Sequence, residues 1–148
     1  MVNLNKIFEY KNQAIFNRYT TSYPNNQLNA ENAFKELAKY LWLTYKHQKD
    51  KETYPNEESL NFNCSVFSEM SEIDDMWHTF LLFTKDYMNF CHTYFGCYMH
   101  HVPTEEEKKL FREELETDLG RYLSYVYDHL GADTIKTWFL KNDRKNLA

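Results

Sequence analysis

The sequence predicts an all-α protein, a single compact bundle of five or six helices spanning residues 1–148, with a polar tail from about 141. Three observations carry that prediction. Glycine and proline together supply only six of the 148 residues, whereas a sandwich or barrel needs a breaker at almost every turn. Apolar residues recur three and four apart over long stretches, the spacing of one face of an α-helix. Capping residues stand where several of those stretches begin and end. A chain of this length can also enclose a real hydrophobic core.

In chain order, Leu4, Ile7, Phe8, Ile15 and Tyr19 share a broad apolar side and predict a first helix from Leu4 to about Tyr19. "TTSYPNNQLN" then reads as a loop, with Pro24 and a cluster of asparagines. Asn29 is placed to cap the helix "AENAFKELAKYLWLTYKHQ", in which Phe34, Leu37, Ala38, Leu41 and Tyr45 keep helical spacing. The charged "KDKETYPNEES" is a surface connection, and "LNFNCSVFSEM" holds a short helix or irregular packing. Ser71 with Asp74 forms an S-x-x-D start signal for the apolar helix that follows. Thr84, followed by Lys85 and Asp86, is placed to cap a new helix and so to break that run, and Gly96 to end it. After Pro103, Thr104 can cap a long helix whose first turn holds Glu105 to Glu107. Its apolar stripe is Phe111, Leu115, Leu119, Leu123, Val126 and Leu130, closed by Gly131, and a short helix around "DTIKTWFL" comes last.

Several function classes are disfavoured at this level. A net charge of −5 gives no basic stripe for nucleic acid. No apolar run reaches the ~18 residues of a membrane span. The N-terminus "MVNLNKIFEYKNQ" lacks the apolar centre of a secretory signal. Cys64, Cys91 and Cys97 are an odd, sparse set, which suits reduced thiols in the cytoplasm better than a disulfide frame.

The chemistry concentrates between 74 and 101, a window that holds Asp74, Cys91, Cys97 and four of the six histidines. Imidazole, thiol and carboxylate together suit zinc or another borderline divalent metal. On one unbroken helix His78 and Cys91 would stand ~20 Å apart along the axis and about 140° apart around it, too far for metal bonds of about 2.0–2.3 Å. A hairpin folded at Thr84 brings the two level. The short segment after Gly96 is then long enough for His101 to return toward the hairpin. This geometry predicts Asp74, His78, Cys91 and His101 as metal ligands, with His100 as the alternate. Against it stands a metal-free reading, in which Asp74, His78 and Cys91 form a buried hydrogen-bonded network. In either reading His78 is expected in the packed centre, so that His78→Ala costs more stability than His47→Ala.

"IDDMWHTFLLFTKDYMNFC…FGCYMHHVP" resembles a family of small bacterial helical proteins of unassigned function. It is also similar to the N-terminal helical part of plant glycine-rich domain proteins. The shared pattern falls on Asp74, Trp77, His78, Tyr87, Cys91, Gly96, His100, His101 and Pro103, and the flanking helices "AFKELAKYLWL" and "HLGADTIKTWF" look like that family's too. Relatives often carry a second histidine where this chain has Phe80, and some have a proline near Thr84. The resemblance brings no established reaction.

The expected function is accordingly a zinc-stabilised helical binding or interaction module. The alternative is a small metal-dependent enzyme using the same ligands with an open coordination position, and a metal-free adaptor is the third reading. A cysteine nucleophile is disfavoured, since Cys91 sits in mid-helix without a glycine-rich turn or an oxyanion site. The partner, a protein or a small molecule, is not specified by the sequence.

Overall fold

The computed structural model describes residues 1–102 and 112–140. Among the described residues the protein is all-helical, with seven α-helices: α1 (Leu4–Phe8), α2 (Gln13–Ser22), α3 (Ala30–Thr53), α4 (Ser71–Leu82), α5 (Thr84–Phe95), α6 (Arg112–Leu130) and α7 (Ala132–Ile135). Two single 3-10 turns, Glu58–Leu60 and Ser68–Met70, flank the irregular residues 61–67, and a π-helical turn, Lys136–Leu140, follows α7. None of the described helices is long and apolar enough to cross a membrane.

The class is as expected, and the helix count is higher because the N-terminal stretch is two helices. α1 stops at Phe8, and Asn12 begins α2 with an extended backbone (φ −147°, ψ 100°) while its side-chain oxygen accepts from the Ile15 N–H at 3.3 Å. The interruption turns the Tyr10 ring inward, 5.4 Å from Phe34, 5.8 Å from Phe80 and 5.1 Å from Phe90 between ring centres. Asn29 caps α3 as expected, accepting from the Asn32 N–H at 2.8 Å.

The chain groups into two compact units, with divisions inside α3 after Trp42, at Met70, and after His100. The first unit comprises Met1–Trp42 and Ser71–His100. Its core is Ile7, Ile15, Phe16, Phe34, Leu37, Met76, Phe80 and Phe90, all buried. Within it α4 and α5 form a hairpin. Phe83 leaves helical geometry (φ −96°, ψ 67°), its N–H donating to the Phe80 carbonyl at 3.0 Å, and the Tyr87 N–H restarts the ladder on the Phe83 carbonyl at 2.9 Å. The reversal is held from inside: Trp77 Nε1 donates to the Tyr87 hydroxyl at 2.9 Å, and the Phe80 and Phe90 rings lie 5.0 Å apart. On a straight helix, ten residues would separate each pair by ~15 Å. The break therefore lies where the sequence places it, but Thr84 is the first helical residue and Phe83, with no side-chain cap, precedes it.

The second unit comprises Leu43–Met70 and the described residues from His101 onward. It centres on rings: His47 stacks on Phe62 at 4.0 Å, Phe62 on Tyr122 at 5.9 Å, and Phe67 packs on Phe139 at 5.9 Å. Arg121 ties the preceding loop to α6 through Glu58 and the Asn61 carbonyl, both at 3.0 Å. The buried side of α6 is Tyr122, Tyr125 and Val126, while Leu115 is 41% exposed. The leucine stripe is thus displaced toward tyrosines, because Tyr125 buries its ring and still reaches Asp50 with its hydroxyl at 2.6 Å. Gly131 (φ 87°) separates α6 from α7. The expected helix start at Pro103 to Glu107, Phe111 and the tail from 141 lie outside the described residues.

Candidate metal centre

α4 buries Ile73, Met76, Trp77 and Phe80. Asp74 and His78, one helical turn apart, stand on the neighbouring stripe, because each step along the helix turns by about 100°. Asp74 Oδ2 lies 3.7 Å from His78 Nε2, with side-chain exposures of 30% and 51%. His78 is therefore at the surface, and the expectation that it sits in the packed centre is corrected. The apolar side of α4 is narrow enough that residue 77 faces in while 78 faces out.

The acids beside Asp74 have other tasks. Glu72 is fully buried, and its two oxygens accept from the backbone N–H groups of Gln27 and Leu28 at 3.0 and 2.8 Å. Asp75 accepts from the Asn26 side chain at 3.0 Å. Burial raises the Asp75 carboxyl above the usual range, and the charges of Asp74 and Glu72 add to this against the Asn26 hydrogen bond. Tyr23 is likewise raised, by burial first and then by the charges of Asp75 and Asp74. Sequence reasoning missed the tasks of both Glu72 and Asp75. The signal for both was the polar "NNQLN" loop, whose free backbone and amide donors need acceptors.

The third element is the segment leaving α5. Gly96 takes the left-handed conformation (φ 70°), and its N–H closes on the His92 carbonyl at 3.1 Å. Met99 is buried, and its carbonyl accepts from the Tyr87 hydroxyl. That bond seats the return segment against α5, two residues before His101. There a half-buried imidazole completes a set: Asp74, His78 and His101 each offer a ligand atom, all within 4.8 Å of one another. A divalent ion bonded at about 2.0–2.2 Å holds its ligand atoms roughly 3–3.5 Å apart, so modest side-chain rotations close the set around one ion.

The other expected residues stand elsewhere. Cys91 is fully buried, and burial pushes its thiol up. Its sulfur is not among the gathered ligand atoms. His100 is exposed and sets its ring edge-on to Tyr98 at 4.6 Å. Cys97 and His92 are exposed as well.

The family model described as UCP032817-like matches residues 4–126, and the chain belongs to that family. The match covers the hairpin, the return segment and all three gathered ligands, and no biochemical role is attached to the family. No curated protein and no solved structure matches the chain. The resemblance to plant glycine-rich domain proteins gains no support from these comparisons.

Proposed function

We propose that this UCP032817-like protein binds one divalent metal ion through Asp74, His78 and His101, leaving coordination positions open to water or an outside ligand. The convergence of three ligand atoms within 4.8 Å supports this reading more than any other observation. Two imidazoles and a carboxylate suit zinc, and also iron(II) and other borderline ions. Three protein ligands are the usual count where an ion keeps a free position, whereas closed structural zinc sites take four. The half-exposed His78 side chain argues that solvent reaches the ion. Such an ion, when bound, supplies Lewis acidity and activates a coordinated water near neutral pH. The chain's own residues hold it, with Asp74 and His78 on the rigid α4 and His101 on a segment seated by Tyr87. The open position favours a small metal-dependent enzyme or ligand-binding protein, working in the cytoplasm, over the closed structural module.

Metal analysis of protein purified without an affinity tag is the direct test. About one ion per chain is expected, lost in Asp74→Ala, His78→Ala and His101→Ala and kept in Cys91→Ala. Deleting a ligand should cost more than the ~10–100-fold affinity loss typical of residues that merely orient one. Less than about a tenth of an ion per chain after dialysis against zinc, iron(II) or manganese would leave the metal-free Asp74–His78 pair as the better reading. Loss of metal in Cys91→Ala would restore the closed four-ligand site.

A further inference from the structure

The exposed side of α4 adds a third residue to the stripe that carries Asp74 and His78. Each step along the helix turns by about 100°, so His78 stands about 40° from Asp74 on one side and about 40° from Leu82 on the other. Leu82, the last residue of α4, is 64% exposed. A helical side chain leans toward the helix N-terminus and covers the turn before its own Cα, which for Leu82 is the turn that carries His78. An isobutyl group open to solvent therefore borders the proposed ion site. At the other end of the stripe, Asp75 follows Asp74 directly, its carboxyl group held by the Asn26 amide at 3.0 Å.

We propose, resting on the metal reading above, that the ion takes as its outside ligand a singly charged α-keto carboxylate with an apolar side chain. Two imidazoles and one carboxylate are the donor set of iron(II) sites that keep neighbouring positions open. Asp74 and His78 come from successive turns of one helix, so they approach an ion from the same side and leave adjacent positions free on the other. An α-keto acid fills two such positions at once, through a carboxylate oxygen and the keto oxygen, closing a five-membered ring. Charge limits the number of acidic groups. A divalent ion held by one carboxylate and two neutral imidazoles keeps one positive charge, which a single carboxylate neutralises. A second carboxylate on the ligand would be repelled by Asp74 and by Asp75 beside it. Leu82 sets the remaining preference, because an aliphatic side chain laid against it leaves water along with the leucine.

The test mixes the full chain with iron(II), in the absence of oxygen, and with pyruvate, the α-keto acid of leucine, or α-ketoglutarate. Iron(II) chelated by keto and carboxylate oxygens together gives a visible charge-transfer band, whose growth reads the dissociation constant. The leucine α-keto acid should bind roughly tenfold more tightly than α-ketoglutarate, the effect of a partly buried aliphatic side chain. Leu82→Ser, an exchange at an exposed position, should remove most of its advantage over pyruvate. The band should be missing in His78→Ala, which separates it from iron complexed in solution. About one iron per chain with no band from any of the three acids would overturn the proposal and leave the metal site standing. So would α-ketoglutarate binding as tightly as the leucine α-keto acid. Failure to hold any divalent ion, read separately by metal analysis, would remove the metal reading and this one with it.

Discussion

His47 and His78 invite comparison, each lying on a long helix beside large aromatic residues, yet the two units treat them in opposite ways. In the second unit His47 is buried, stacked on Phe62 at 4.0 Å and set edge-on to Tyr125, with Nε2 2.8 Å from the Leu60 carbonyl. A carbonyl only accepts, so Nε2 carries the proton, and burial, the dominant effect, pushes the ring below its ordinary pKa and keeps it neutral. In the first unit the His78 side chain is half exposed, 3.7 Å from Asp74 and within reach of a second imidazole. One histidine is a packing piece with a satisfied hydrogen bond; the other stands at the surface beside a carboxylate and a second imidazole. Proximity to apolar residues in sequence does not separate these roles, whereas the angular position on the helix does.

The largest effect expected from this contrast is on stability at Glu72 and His47. Glu72→Ala removes a buried carboxylate from two backbone donors, which should cost about 3 kcal/mol or more in chemical denaturation. His47→Ala leaves a cavity beside Phe62 and the Leu60 carbonyl without its donor, a loss of about 2–4 kcal/mol. His78→Ala, in metal-free protein, should change stability by less than about 1 kcal/mol. A His78 variant melting as low as the His47 variant would end the comparison.

A middle-sized effect follows from the charge state of His47. Its folded pKa lies below the unfolded value of 6.5, so below that pH the unfolded chain takes up a proton that the folded chain refuses. Stability should therefore fall as the pH drops from about 6.5 toward the folded pKa. His129, also lowered, mainly by burial, adds a contribution of the same sign. Denaturation curves of wild type and His47→Gln should converge as the pH falls through this window. Parallel curves would show that His47 does not titrate differently in the two states.

The smallest expected effect is at Tyr125→Phe, which removes the hydroxyl bonded to Asp50 at 2.6 Å while keeping the ring. Asp50 is lowered although burial pulls it upward, because the Tyr125 and Lys46 hydrogen bonds and the Lys46 charge prevail. The variant should lose about 1 kcal/mol and let the Asp50 carboxyl titrate at higher pH, which can be followed by NMR.

The hairpin was legible because the 74–101 residues make chemical sense only if the chain turns near 84, and the termini because Asn29, Gly96 and Gly131 do in the structure what those residue types do generally. The break at Glu9–Asn12 was hidden by apolar spacing that continues across it; only the Asn12 cap marks it. On α6 the leucines masked Tyr122 and Tyr125, whose rings are buried, the second with its hydroxyl on Asp50. In the candidate centre, the expectation rested on His78 and Cys91 being level along the hairpin, but height along an axis does not say which way a side chain points. His78 turned out to face solvent and Cys91 the interior, while His101 follows a segment seated by the Tyr87 hydroxyl, a residue that the shared pattern includes without showing what its oxygen holds.

That hydroxyl has a reach beyond its own neighbourhood. The Tyr87 oxygen accepts from the Trp77 indole on one helix and donates to the Met99 carbonyl on the departing chain, so three pieces of backbone take their spacing from a single atom. Replacing it with hydrogen, as in Tyr87→Phe, leaves every proposed ligand chemically intact and still frees the anchor from which His101 projects. Tightness of grip on an ion would then be governed by an oxygen that never touches it, and a chain could be tuned between firm and loose holding without altering any coordinating residue.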